Sequence, residues 1–195
     1  MSRMFLSLVI FAMILLGSLW AEITALVLLT IASISDGIDG AIARRTMTTT
    51  PFGAIADPYA DKLLVMAVFL AFASIHELGV PLWAVFLILL RELTISTLRV
   101  LAALNGEVMK AERSGKIKTT IQLIAAFTIM VLLIISVWSK TTPMPPPIDK
   151  LPALTPAIVW WFTVVAAAFT LFSGALYLYN HRDLLSKSWS ERRRP

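Results

Sequence analysis

Six apolar segments, separated by polar linkers, most constrain what this chain can fold into. They run roughly over residues 4–20, 22–43, 52–75, 80–104, 117–138 and 155–179. Each of the last five is long enough to cross a hydrocarbon core of about 30 Å as an α-helix. A soluble domain of 195 residues is rarely 58% hydrophobic with only 15% charged residues. The pattern predicts an all-α integral membrane protein, a six-transmembrane-helix bundle formed by a single domain over residues 1–195.

Two parts of the chain depart from a simple series of spans. The first apolar segment is short and lacks a clear small-residue cleavage site, so it is not typical of a cleavable signal peptide. We expect its helix to begin at or upstream of residue 1. The linker 139–153 is long and carries several prolines around Met144. Because proline disrupts the helix interior, this linker predicts an exposed loop without helix.

Positive charge indicates how the bundle is oriented in the membrane. One side of a six-span arrangement carries only Lys140 and Lys150. The other side carries Arg3, Arg44, Arg45, Arg99, Lys110, Arg113, Lys116, Lys118, Arg182, Lys187, Arg192, Arg193 and Arg194. Since cytoplasmic segments are enriched in Lys and Arg, both termini are predicted to be cytoplasmic. The same bias explains the net charge of +5 without invoking nucleic acid.

Four aspartates gather between Asp36 and Asp61. Asp36 and Asp39 are spaced i, i+3, and Asp57 and Asp61 are spaced i, i+4, so each pair falls on one face of a helix. A short turn at 45–50 predicts that the two helices are antiparallel neighbours, which would bring the carboxylates together. Four like charges that close cannot all stay ionised without cations, and divalent cations prefer oxygen ligands. The stretch predicts a site for two Mg²⁺ or Mn²⁺ ions. The absence of cysteine and the presence of only two histidines exclude thiolate and histidine-rich metal sites.

The same stretch carries a longer motif, D-x2-D-G-x2-A-R-x8-G-x3-D-x3-D. It is met by Asp36, Asp39, Gly40, Ala43, Arg44, Gly53, Asp57 and Asp61. This spacing resembles the signature of the CDP-alcohol phosphatidyltransferases. Members of that family are six-helix membrane transferases, commonly homodimers, that move a phosphatidyl or similar group from a CDP-linked donor to an alcohol and release CMP. The resemblance implies the same fold, a homodimer and a metal-dependent transferase here.

The resemblance also implies roles for individual residues of the motif. The implied metal-site residues are Asp36, Asp39, Asp57 and Asp61. Asp61 would also act as the general base on the acceptor hydroxyl. The implied contacts to the CDP part of the donor are Gly40, Arg44 and Thr50. Elementary chemistry agrees, because glycine permits close backbone approach and arginine can clamp a pyrophosphate with two hydrogen bonds. For Thr50, a helix cap is an equally simple explanation.

Three further segments, 57–64, 89–99 and 114–122, resemble the members of the family that use sn-glycerol 3-phosphate as acceptor. That resemblance covers roughly residues 3–122 and implies CDP-diacylglycerol as donor. The products would be phosphatidylglycerophosphate and CMP. A phosphorylated acceptor needs cations near the metal site. The candidates are Lys62, Arg91, Arg99, Lys116 and Lys118.

The acceptor candidates also have simpler structural explanations. Lys62 and Arg91 lie within predicted spans, where unpaired cations are costly. Arg91 would therefore also be explained by an ion pair with Glu92 or with an aspartate. Lys116 and Lys118 would also be explained as charges that set the membrane orientation.

Alternative functions remain at this point. One alternative is a member of the same family with another acceptor, either an inositol phosphate or, as in cardiolipin synthesis, phosphatidylglycerol. A cation transporter is a more remote alternative, but transport predicts acidic residues spread along several spans. Here they gather at one membrane face beside Arg44. The predicted location is a bacterial plasma membrane with the active site on the cytoplasmic side, and the predicted partners are the two substrates, membrane lipids and a second copy of the chain.

Overall fold

A computed structural model of the chain describes residues 2–46, 51–104 and 113–182, and it describes the side chains of residues 4–35, 62–103, 115 and 117–182. The α-helices in this part are α1 Ser2–Leu16, α2 Leu19–Thr46, α3 Pro51–Ser74, α4 Leu82–Leu104, α5 Arg113–Ser139 and α6 Leu151–Asn180. Single 3-10 turns at His76–Leu78 and Ile148–Lys150 lie in the connections before α4 and α6. No strand occurs in the described ranges, so the prediction of an all-α fold with six helices is confirmed.

In the part of the chain that the structure describes, two helices are long and apolar enough to cross a membrane by length and composition. They span Ile117–Ser139, within α5, and Ile148–Asn180, which contains α6. Shorter apolar helical stretches are Met4–Leu16, Leu19–Ser35 and Lys62–Ser74. Insertion of all six helices therefore stays a prediction.

The connection between α5 and α6 is shorter than the sequence predicts. A 3-10 turn begins at Ile148, and α6 begins at Leu151 rather than at residue 155. The prediction that residues 139–153 contain no helix was therefore wrong. The reason is that Pro152 lies in the first turn of α6, where the missing N–H costs no intrahelical hydrogen bond.

The core of the bundle is built by apolar side chains from several helices. α1 packs against α2 and α3, and α6 packs against α4 and α5. The fully buried side chains include Ile10, Phe69, Phe72, Ile88 and Ile129. Close packing of such side chains gains dispersion contacts between the helices.

Large apolar side chains also face outward. Phe5, Trp20 and Phe172 are 70%, 80% and 67% exposed. Outward-facing apolar groups of this size are typical of a surface that lipid or another apolar partner covers.

Polar contacts define the two ends of the bundle. Glu77, just after α3, pairs with Lys140, just after α5, and both side chains are exposed. The connections α3–α4 and α5–α6 therefore share one end. The beginnings of α3 and α5 therefore lie toward the other end. The end of α2 lies near the beginning of α3, because only four residues separate the two helices in sequence. We call this second end the motif end, since it contains residues 36–61 with the four aspartates.

Candidate active site

The predicted aspartates lie on two consecutive helices. Asp36 and Asp39 are in α2, and Asp57 and Asp61 are in α3. Predicted site residues that fall outside the described side chains are these four aspartates, Gly40, Arg44, Thr50 and Lys116. Their roles in metal binding, proton transfer and substrate binding stay predictions. Among the residues whose side chains are described, no group of three or more His, Asp or Glu could hold a metal ion.

Glu92, in α4, is the centre of a buried group of charged side chains. Only 1% of its side chain is exposed. Lys118 from α5 contacts its Oε1 through Nζ. Lys62 from α3 places Nζ 3.1 Å from its Oε2, and Arg91 places Nη1 3.4 Å from its Oε1. These four residues form what we call the Glu92 cluster, and α3 brings its parts together because it packs against both α4 and α5.

The members of the Glu92 cluster differ in their exposure. The side chains of Lys118 and Arg91 are 2% and 9% exposed, whereas that of Lys62 is 29% exposed. Lys62 also follows Asp61 directly in α3. The most accessible cation of the cluster is therefore the immediate neighbour, along the helix, of the predicted general base.

The Glu92 cluster carries an excess of positive charge. It contains three cations, and Glu92 is the carboxylate that pairs with them among the described side chains. Buried charges are costly unless a partner compensates them. A site with this charge balance is chemically suited to an anion with more than one negative charge. Lys118 is buried and paired with Glu92. It is therefore not a surface charge whose only role is to set the membrane orientation.

Two neutral side chains support Glu92 from the neighbouring helices. Gln122 of α5 has its Nε2 3.4 Å from Glu92 Oε1, and it donates a hydrogen bond of 2.9 Å to Thr170 Oγ1 in α6. Thr170 in turn donates to the carbonyl oxygen of Ala166 at 2.6 Å. The Oε2 of Glu92 has no well-aligned hydrogen bond among the described residues, so its contact with Lys62 is an ion pair. Glu92 is thus fixed mainly through Oε1.

Arg91 lies between α4 and α6. Its Nη2 donates a hydrogen bond of 3.2 Å to Ser173 Oγ. Its stem lies directly against Gly174, where a β-carbon would come within 2.9 Å of Arg91 Cγ and 3.1 Å of Arg91 Nε. Glycine at this position therefore permits the close approach. The ion pair of Arg91 with Glu92, which the sequence offers as an alternative explanation, is present.

Arg99 lies farther along α4 and has a different partner. Its Cζ is 5.7 Å from the ring centroid of Tyr177 in α6, a cation–π contact. The ring of Tyr177 also stacks on that of His181, with centroids 4.4 Å apart. The structure therefore brings three of the predicted acceptor cations together at Glu92 and places Arg99 beside α6.

The sequence analysis did not predict that Gln122 and residues of α6 contact the Glu92 cluster. For α6, the sequence does contain a pattern that indicates a polar face. Thr170, Ser173 and Tyr177 recur at spacings of three and four in an otherwise apolar helix, which places them on one helical face. The glycine beside Ser173 carries no such signal, because its importance depends on what lies opposite.

A family model described as CDP-alcohol phosphatidyltransferase matches residues 1–145 of the chain. The chain belongs to the CDP-alcohol phosphatidyltransferase family. The resemblance seen in the aspartate motif is confirmed. For this family member, the match covers the motif and all four residues of the Glu92 cluster, whereas α6 lies beyond it.

Several bacterial proteins are similar to this family member. It is 40% identical over 110 residues to a Bacillus subtilis protein named CDP-diacylglycerol–glycerol-3-phosphate 3-phosphatidyltransferase, covering 56% of each chain. A Sodalis glossinidius protein of the same name is 34% identical over 166 residues, covering 84% of this chain and 81% of the relative. A Mycobacterium tuberculosis protein named probable phosphatidylglycerophosphate synthase is 38% identical over 105 residues, covering 54% of this chain and 49% of the relative. The chain thus spans about half the length of the Bacillus and Mycobacterium relatives in these matches.

Proposed function

We propose that this family member is a membrane enzyme that transfers the phosphatidyl group of CDP-diacylglycerol to sn-glycerol 3-phosphate. The products are phosphatidylglycerophosphate and CMP. The observation that carries the proposal is the buried Glu92 cluster, which places three cations around one carboxylate. The names of the Bacillus and Sodalis relatives, which state this reaction, support the same acceptor.

The charge of the acceptor matches the charge of the cluster. A phosphate monoester carries about two negative charges near neutral pH. That charge offsets the excess of the three cations over Glu92. A phosphodiester such as phosphatidylglycerol carries about one and leaves part of the excess uncompensated. The cluster therefore favours a phosphate monoester over phosphatidylglycerol as acceptor. An inositol phosphate carries the same charge as sn-glycerol 3-phosphate, so the choice between these two acceptors rests on the names of the relatives.

The cations have distinct roles in this proposal. Lys62, Arg91 and Lys118 bind the acceptor phosphate, and Glu92 holds them in one place before the acceptor arrives. Arg91 offers two hydrogen bonds in a fixed plane, whereas the two lysines act as point charges. Arg99 and Lys116 are further candidates for the edge of this site.

The donor is bound by the aspartate motif. The four aspartates supply oxygen ligands on two consecutive helices, a donor set suited to Mg²⁺ or Mn²⁺. When bound, two such ions stabilise negative charge on the pyrophosphate of the donor. The proposed contacts to the CDP part are Gly40, Arg44 and Thr50.

The reaction is a direct displacement. Asp61 takes the proton from the acceptor hydroxyl, and the hydroxyl oxygen forms a bond to the phosphorus that carries the diacylglycerol. The bond from that phosphorus to the oxygen of CMP breaks, and CMP leaves with the electron pair. Lys62 is adjacent to Asp61, so the acceptor phosphate and the acceptor hydroxyl are held by neighbouring residues. No covalent enzyme intermediate is needed, and the kinetics are sequential.

We also propose that all six helices cross the membrane, with the motif end at the cytoplasmic face of a bacterial plasma membrane. The support is the strong bias of Lys and Arg toward this end, the apolar length of α5 and α6, and the exposed apolar side chains. A homodimer is proposed from the family resemblance alone.

A CMP-release assay on purified protein in detergent tests the function. The protein is given CDP-diacylglycerol and Mg²⁺, with sn-glycerol 3-phosphate, an inositol phosphate or phosphatidylglycerol as acceptor. We expect CMP release above background with sn-glycerol 3-phosphate only, and formation of phosphatidylglycerophosphate in the lipid extract. Faster release with either of the other acceptors would contradict the proposed substrate.

A further inference from the structure

α6 presents one buried polar face to α4, although it lies beyond the part of the chain that the family model matches. Ser173 and Tyr177 are each 3% exposed, and Gly174 is also buried. Tyr177 lies four positions after Ser173 and three after Gly174, so the three residues lie on one side of the helix. They contact Arg91 and Arg99, which are themselves two turns apart on one face of α4.

The guanidinium of Arg91 is held from two sides. Nη1 faces Glu92 Oε1 at 3.4 Å, and Nη2 donates to Ser173 Oγ at 3.2 Å. Gly174 adds a steric condition, because its missing side chain leaves the space in which the stem of Arg91 lies. An arginine held in this way keeps one orientation before the substrate binds. Preorganisation of this kind increases affinity by reducing the ordering that binding requires.

Tyr177 holds Arg99 in a comparable way. Its ring lies beneath the guanidinium of Arg99 at 5.7 Å and is fixed in turn by stacking on His181. The hydroxyl of Tyr177 is buried and has no hydrogen-bond partner among the described residues. The ring, rather than the hydroxyl, is therefore the part that contacts Arg99.

We infer that Ser173, Gly174 and Tyr177 are positioning residues that hold Arg91 and Arg99 for the acceptor phosphate. α6 thereby sets the affinity for the acceptor without touching it. The inference rests on the proposed function, since it assumes that these arginines bind the acceptor.

The contact itself is tested without any activity measurement, by a double-mutant cycle on thermal stability in detergent. The variants are Gly174→Ala, Arg91→Ala and the two combined. We expect Gly174→Ala to lower the apparent Tm when Arg91 is present, because the added methyl meets Cγ near the base of the side chain. In the Arg91→Ala background it should leave Tm unchanged or raise it, since alanine favours helix over glycine. Additive effects would overturn the inference.

A matched control lies at the next position of α6. Ala175 is exposed, so Ala175→Val adds bulk to the same helix away from α4. This variant should show no coupling to Arg91→Ala. Coupling as large as that of Gly174→Ala would mean that the cycle reports helix α6 in general, and it would overturn the inference.

Kinetics then test whether the positioning matters for the acceptor. Gly174→Ala is expected to raise the KM for sn-glycerol 3-phosphate about tenfold, and Ser173→Ala about two- to tenfold, as for loss of one hydrogen bond. The KM for CDP-diacylglycerol should be unchanged in both. Ser173→Thr keeps the hydroxyl and should restore most of the affinity. Tyr177→Leu removes the ring and should raise the KM for the acceptor, whereas Tyr177→Phe keeps the ring and should restore most of the affinity lost in Tyr177→Leu.

The two possible failures are distinguishable. If Arg91→Ala leaves the KM for the acceptor unchanged, the proposed role of Arg91 fails, and the inference fails with it. If Arg91→Ala raises that KM while Gly174→Ala and Ser173→Ala do not, only the inference is overturned. An equal rise in the KM for donor and acceptor would indicate general structural damage, and would also overturn it.

Discussion

Lys118 and Glu92 lie 26 residues apart in sequence, yet Lys118 Nζ contacts Glu92 Oε1 in the interior of the bundle, where their side chains are 2% and 1% exposed. Glu92 also faces Lys62 and Arg91. A single buried carboxylate therefore compensates charge on three helices at once. This relationship makes the stability of the bundle and the proposed binding of the acceptor phosphate depend on the same residue.

Replacing Glu92 by glutamine should strongly destabilise the protein. The glutamine keeps the volume of the side chain but removes the carboxylate charge that faces the buried Lys118 and Arg91. Breaking a buried ion pair by removing one partner typically costs about 3–5 kcal/mol. Thermal or denaturant unfolding of Glu92→Gln in detergent would measure the loss.

The ion pair at the opposite end provides the control for that prediction. Glu77 and Lys140 are 72% and 59% exposed. Exposed pairs of this kind contribute at most about 1 kcal/mol. Glu77→Gln should therefore be close to the unmodified protein in stability. Equal losses for Glu77→Gln and Glu92→Gln would show that burial of the Glu92 cluster has no special importance.

Replacing Arg91 by alanine should raise the KM for the acceptor much more than the KM for CDP-diacylglycerol. The physical reason is the loss of a charge-assisted hydrogen bond to phosphate, about 1.5–3 kcal/mol or roughly tenfold to over a hundredfold. Initial-rate measurements with each substrate varied in turn give both constants. Lys140→Ala, which removes an exposed cation from the other end of the bundle, is the matched control. An unchanged acceptor KM in folded Arg91→Ala would leave only the ion pair with Glu92 as the role of Arg91.

Replacing Asp61 by asparagine should abolish most turnover while CDP-diacylglycerol still binds. Asparagine keeps the shape and one coordinating oxygen but cannot accept a proton near neutral pH, and loss of a general base costs about 10²–10⁴ in rate. Measurements of kcat and of donor binding separate the two effects. Asp36→Asn and Asp57→Asn should instead raise the Mg²⁺ concentration that gives half-maximal rate. If Asp61→Asn behaved like those two variants, Asp61 would be a metal ligand and not the base.

Removal of divalent cations should stop the reaction and lower stability. The proposed site gathers four carboxylates, and bound ions would stabilise the folded state by mass action. CMP release should cease in excess EDTA and return with Mg²⁺ or Mn²⁺. The apparent Tm should rise with Mg²⁺ concentration in the unmodified protein but not in a variant that lacks Asp36 and Asp57. Undiminished CMP release in EDTA would contradict the metal site.

The order and extent of the helices were largely determined by the sequence alone, because the length of an apolar run is a local property. The predicted segment 52–75 corresponds to α3 Pro51–Ser74, and 117–138 lies within α5 Arg113–Ser139. The main error was the beginning of α6, where Pro152 starts a helix instead of preventing one. The motif that identifies the family was likewise readable, since its residues lie within one short stretch.

The Glu92 cluster required the tertiary structure. The sequence marks Lys62, Arg91 and Lys118 as separate cations in or near apolar segments, but it does not say that they share one carboxylate. It also gives no reason to connect Ser173 or Gly174 with Arg91, which is 82 residues from Ser173. Such contacts depend on how far each helix is rotated about its axis and on which helices are neighbours. Those quantities are decided by packing summed over the whole bundle, so only the folded chain determines which charges meet.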